Sequence, residues 1–235
     1  MASRKEQKER ARAERIAKEQ ELAAAKARRR RLNQAGGGLL ALVALGVVIV
    51  AIASGGGKSS TPTLPTGGGP PIPPQRLTSL ATAAKAAGCV VQDYPNFGQQ
   101  HTTAAVHYRT NPPTSGAHNP TWAHDGSYVG KAVPPIGMLV HPLEHGRIEL
   151  QYHPGTPLQR QRQLGTLLAQ PIPGQAVGFD QLLFQNNTGM PYAVAATAWQ
   201  HLLGCPVFND KVFDAIRAFR AQYVNKGPES IPYPE

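Results

Sequence analysis

Several things are scarce in this chain of 235 residues, and each scarcity excludes something. No histidine occurs in the first 100 residues and no charged residue occurs from Leu32 to Gly57. Within the uncharged stretch, Leu39 to Ala53 has no polar face, which argues against a buried helix of a soluble domain. Residues 1–31 hold 12 of the 24 basic residues and 5 of the 14 acidic ones, so the high pI comes mainly from this tail. The rest of the chain has no run of Lys and Arg interleaved with aromatics, and a nucleic-acid partner is not expected. Ser115 and His118 could pair as nucleophile and base, but no G-x-S-x-G elbow surrounds Ser115.

What is present divides the chain into four parts. Residues 1–35 read as a basic, helical cytoplasmic tail, with Glu6/Arg10 and Glu14/Lys18 as i,i+4 pairs. Residues 36–57 read as a transmembrane helix. The apolar Leu39–Ala53 stretch covers roughly 22 Å, and its flanks extend it toward the ~30 Å hydrocarbon core. Arg28 to Arg31 precede it and only Lys58 follows closely, so the positive-inside rule puts the N-terminus in the cytoplasm and the C-terminal part outside. The expected lipid contacts are this span and the arginine cluster. Ala51-Ile52-Ala53 also fits a signal-peptide cleavage site; the long preceding segment favours a retained anchor. Residues 58–75 continue a Pro/Gly/Ser-rich stretch with almost no apolar side chain to bury, which predicts a disordered linker. Residues 76–235 are long enough for one core.

In that last part, the Ala-rich run Arg76–Ala87 ending at Gly88 predicts a helix. Leu158–Ala169, before Pro171, and the amphipathic Asp210–Asn225 predict two more. Val106 and Tyr108 alternate as strand residues do. Gly137–His141 and Arg147–Tyr152 read as two strands joined around Pro142–Gly146, and Tyr192–Trp199 as a buried strand. The order is mixed, without repeated βαβ units, and predicts an α+β fold with a small mixed or antiparallel sheet and flanking helices. Cys89 and Cys205 are the only cysteines; outside the membrane a disulfide between them is the favoured reading, against two free thiols or a metal-binding pair.

Seven of the eight histidines lie between His101 and His153. Imidazole is the commonest metal ligand, so the density points to a shared metal site with His101, His118, His141 and His145 as candidate ligands. Tyr108, Ser115, Tyr128 and Glu144 are the candidate hydrogen-bonding partners around them. His141-Pro142-Leu143-Glu144-His145 matches H-x-x-E-H, in which a helix presents two imidazoles and the glutamate activates water. Pro142 and Gly146 place the motif on a turn rather than a helix. Asn111-Pro112-Pro113-Thr114-Ser115-Gly116-Ala117-His118 predicts a rigid loop that holds His118. Histidine with a carboxylate and no free thiolate suits copper or zinc; Met138 and Met190 add a thioether near and far. Three functions remain open: a metal-binding module, a metal-dependent hydrolase with Glu144 as general base, and a structural or interaction module of the cell envelope.

The residues Gly98, His101, Tyr108, Pro112-Pro113-Thr114-Ser115-Gly116, His118, Gly126, Tyr128, His141, Leu143-Glu144-His145-Gly146 and Tyr152 resemble the bacterial family catalogued as domain of unknown function 3105. Cys89, Thr197-Ala198-Trp199, Cys205 and Pro228-Glu229 are similar too. The resemblance covers most of residues 85–230. It implies a bacterial exported domain, often membrane-tethered, and no reaction. His107, His124 and His153 fall outside the shared motif, and Pro142 stands where a variable residue is expected.

Overall fold

A computed structural model describes residues 61–64, 69–172, 174–175, 179–229 and 231. The cytoplasmic tail and the apolar stretch read from the sequence lie outside the described residues. Among the described residues, no helix is long and apolar enough to cross a membrane.

Six strands form one mixed sheet: β1 (Val90–Asp93), β2 (Gly126–Ser127), β3 (Ile148–Tyr152), β4 (Gln181–Gln185), β5 (Val194–Ala198) and β6 (His201–Cys205). Their order across the sheet is β1-β6-β5-β3-β4-β2. The β1/β6, β6/β5 and β5/β3 pairs are antiparallel; β3/β4 and β4/β2 are parallel. Among the described residues four helices accompany them: α1 (Leu80–Ala87), α2 (Ile136–Glu144), α3 (Leu158–Leu168) and α4 (Val212–Tyr223). The α+β class read from the sequence is the observed one.

Strand alternation assigns the two faces of the sheet. Ile148, Leu150, Leu183, Val194, Ala196 and Leu203 point to one side, where they pack with α1, α3 and the Phe213/Ile216/Phe219 stripe of α4. The other face carries Leu182, Phe184 and Ala195 together with Glu149, Gln151 and Thr197, all buried. On that side α2 packs: Leu139 meets Tyr128, Leu182 and Phe184, while Val140 and Leu143 meet Trp199. The larger core therefore forms the body, and the second face positions the histidines.

Helix signals were legible and end where expected: Ser79 caps α1 at its start, and Gly88, at φ 72°, closes it. Cys89 and Cys205 form a disulfide that ties the start of edge strand β1 to the end of β6.

Three strand assignments need correction. Val106 and Tyr108 lie in irregular backbone, and Tyr108 is anchored by its hydroxyl, which donates to Ala117 O at 3.0 Å. Gly137–His141 is not a strand but part of helix α2, which runs through Pro142. Proline normally breaks a helix interior because its missing N–H leaves the carbonyl four residues back without a donor. Here that carbonyl, Met138 O, accepts instead from Ala123 N at 2.8 Å, and the neighbouring Gly137 O accepts from Asn119 N at 3.1 Å. Ala123 thus supplies the donor that Pro142 withholds, and Asn119 adds a second bond to the same turn. Strand β5 is also shorter than Tyr192–Trp199, because a two-residue turn at Trp199-Gln200, with Gln200 at φ 68°, leads straight into β6.

Two parts of the Pro/Gly-rich stretch, whose composition predicts disorder, carry contacts with the domain. Thr63 exchanges two backbone hydrogen bonds with Ser127, both at 2.8 Å. Pro70 and Pro71 accept from Thr166 and Gln163, and Pro73 from Arg217.

Candidate metal centre

Three pieces of chain bring the histidines together. Helix α2 presents His141 and Glu144 one turn apart, with His145 capping its C-terminus. The PPTSG loop carries His118. It is fixed by Thr114 O, which accepts from Gln200 N at 2.9 Å, and by Asn111, whose side chain reaches Thr188 and Gly189. A short parallel bridge then joins His101 to His118: Thr102 N donates to His118 O at 2.7 Å, and His118 N to Gln100 O at 3.0 Å.

One ligand atom from each of His101, His118, His141 and Glu144 lies within 4.8 Å of the others. Nε2 of His118 is 2.9 Å and Nε2 of His101 is 3.8 Å from Oε2 of Glu144. Four ligands at 2.0–2.1 Å from a tetrahedral ion stand about 3.3 Å apart, and the observed separations bracket that value. His118, His141 and Glu144 are buried, whereas the His101 side chain is 47% exposed and opens the cluster to solvent.

Backbone carbonyls orient two of the rings. Nδ1 of His118 donates to Gly116 O at 2.8 Å, and Nδ1 of His141 to Asn119 O at 2.6 Å. A carbonyl can only accept, so each Nδ1 carries the proton and each neutral ring turns an Nε2 lone pair inward. This is the arrangement by which metal-bound imidazoles are usually held. Burial lowers the pKa of His118 and of His141 and raises that of Glu144, with Glu229 adding to the rise. The pocket therefore disfavours charge on any of these groups standing alone. A cation among them would compensate the carboxylate and use the lone pairs.

The remaining sequence candidates sit as follows. Nε2 of His145 lies 3.0 Å from Nε2 of His141, but His145 is not part of the four-residue group. Tyr108 braces the loop before His118 through Ala117, and burial, then Glu149, pushes its hydroxyl up to about 12. Ser115 Oγ accepts from Phe97 N at 3.1 Å, and with His118 Nδ1 on Gly116 the Ser115/His118 pair is engaged elsewhere. Tyr128 donates to His124 O. His107, His124 and His153 are exposed, and His201 pairs with Asp93 at 2.6 Å on the β1/β6 ladder. Met190 packs with Ala195 and Leu202.

Residues 99–233 match the model of a family described as protein of unknown function (DUF3105). The chain belongs to this family. Neither a curated protein nor a solved structure matches the chain. The matched span of this DUF3105 protein contains all four clustered ligand candidates and also two side chains with no signal in the local motifs. Trp122 lies over His141 and His145, with ring centroids 5.1 and 5.3 Å away. Glu229 brings its carboxylate to 3.6 Å from Nε2 of His145. Pro228-Glu229 was among the residues shared with the family, which was the one available pointer to it.

Proposed function

We propose that this domain is a membrane-tethered, extracytoplasmic metal-binding module that holds one borderline transition-metal ion through His101, His118, His141 and Glu144. The carrying observation is the convergence of three imidazoles and one carboxylate, two of the rings already turned by backbone carbonyls so that their Nε2 atoms face inward. Three nitrogens and one oxygen, with both cysteines in a disulfide, suit Zn(II) or Cu(II) better than a soft Cu(I) ion. Tethering rests on the uncharged Leu39–Ala53 stretch after Arg28–Arg31.

This reading is preferred to a hydrolytic one because of where Glu144 lies. A general base must face a metal-bound water, and at 2.9 Å from His118 Nε2 the Glu144 carboxylate falls among the ligands. The test is metal content of the full chain in detergent after reconstitution with Zn(II) and, separately, Cu(II). One equivalent in the wild type, lost in His118→Ala with Glu144→Gln, is the expected result. A wild type that retains no metal ends the proposal.

A further inference from the structure

A second set of side chains adjoins the first through His141. Nε2 of His145 approaches Nε2 of His141 to 3.0 Å, and Oε2 of Glu229 approaches that same His145 nitrogen to 3.6 Å. Glu229 is held there by backbone. Asn225 N donates to Gly146 O at 2.8 Å, and Glu229 N donates to Glu144 O at 3.0 Å, so the 225–229 segment lies across the end of α2. The carboxylate of Glu229 acts on the first set as well: its charge favours the protonated forms of His118 and Glu144.

We propose that His145 and Glu229 form a second coordination position that shares His141 with the first, and that a divalent transition-metal ion enters and leaves through it. This rests on the metal-binding reading above. The separations of 3.0 and 3.6 Å match the about 3.3 Å expected between ligands of one tetrahedral ion. His141 has a single inward lone pair, because Nδ1 is engaged by Asn119, so it can serve only one ion at a time. An ion that shifts from His118 and Glu144 toward His145 and Glu229 therefore keeps His141 as a ligand throughout. It moves from His118 and Glu144, 0% and 3% exposed, to His145 and Glu229, 2% and 52% exposed, a set that shares only His141 with the site of the solvent-facing His101. Exchange of one neighbouring ligand for the next avoids the cost of leaving a charged ion without ligands in a buried pocket.

The test times release of Zn(II) from the full chain to excess colorimetric chelator, for the wild type, Glu229→Gln and Glu229→Asp. The expected result is one equivalent bound in all three, release slowed by about tenfold in Glu229→Gln, and partial recovery in Glu229→Asp. A carboxylate that acted only through its charge would give the opposite sign, since its removal weakens attraction for the ion and speeds release. Unchanged or faster release in Glu229→Gln, with metal still bound, overturns this proposal alone. Two ions per chain in the wild type overturn it too, because His141 would then not be shared. A wild type that binds no Zn(II) removes it together with the metal-binding reading.

Discussion

Nε2 of His118 faces Oε2 of Glu144 at 2.9 Å, and both atoms are buried. With the His118 proton on Nδ1, a lone pair meets a carboxylate unless a proton or a cation lies between them. A bound ion should therefore stabilise the fold. At a free concentration one hundred times Kd, the stabilisation is about 2.7 kcal/mol, or about 5–10 °C in melting temperature for a domain of this size. Thermal melts with Zn(II) and with chelator check this. In Glu144→Gln the shift should fall by half or more, and a shift that stays at the wild-type size would remove Glu144 from the ligands.

Pro142 inside α2 leads to a second expectation. A proline in a helix interior typically costs about 3 kcal/mol relative to alanine. Here the carbonyl that an added N–H at 142 would seek, Met138 O, already accepts from Ala123 N. Pro142→Ala should thus change stability by less than about 1 kcal/mol in urea denaturation. A gain near 3 kcal/mol would show that the 119–123 segment does not substitute for the missing donor.

The same carbonyl explains where reading the sequence succeeded and where it failed. Helices α1, α3 and α4 carry their own signals, the Gly88 cap and the Phe213/Ile216/Phe219 stripe, and these depend only on neighbours in sequence. Helix α2 runs through Pro142 with a donor from Ala123, which no local rule around Pro142 reveals. Strand β6 follows a turn at Trp199-Gln200 that lacks the usual glycine or asparagine, so the strand read from the sequence stops at Trp199 and β6 goes unread. At the site, His density was enough to nominate His101, His118 and His141. The roles of Glu144 and Glu229 depend on a helix and a C-terminal crossing that pattern reading could not supply.

Glu149 gives a pH dependence with a definite sign. It is fully buried on β3, and burial pushes its carboxyl well above the ordinary value of 4.5, partly opposed by hydrogen bonds from Thr197 and Gln151. A raised folded-state pKa means that the fold favours the protonated form. Its contribution is full below the unfolded-state value and declines as pH rises from about 4.5 toward the folded-state value. Glu149→Gln keeps an acceptor and removes the charge. The variant should be more stable than the wild type at pH 7, with the difference shrinking toward pH 4. Denaturation midpoints across that range test it, and parallel curves for the two proteins would show that Glu149 does not titrate with folding.

The disulfide secures an edge. Among the described residues strand β1 pairs with β6 alone, and its four residues are exposed, so little else there holds it to the sheet. Cys89 and Cys205 are 116 residues apart, for which the chain-entropy model gives about 4–5 kcal/mol, and removal of native disulfides typically costs about 2–5 kcal/mol. Cys89→Ala with Cys205→Ala should lose that amount in urea denaturation, with amide protection falling first at Val90–Asp93. A loss under about 1 kcal/mol would mean that the ladder to β6 and the packing of α1 on α4 hold β1 unaided.

Gly146 and Gly88 separate two costs that usually travel together. Both have positive φ, 82° and 72°, where a side chain costs about 1–2 kcal/mol. A Cβ at Gly88 would meet nothing within 4 Å, whereas one at Gly146 would lie 2.6 Å from Cα of Asn225. Gly88→Ala should therefore show the backbone cost alone. Gly146→Ala should lose more, because it must also displace the segment that carries Glu229 across the end of α2. The excess measures how firmly that crossing is held, and equal losses in the two variants would mean that the 225–229 segment shifts aside without resistance.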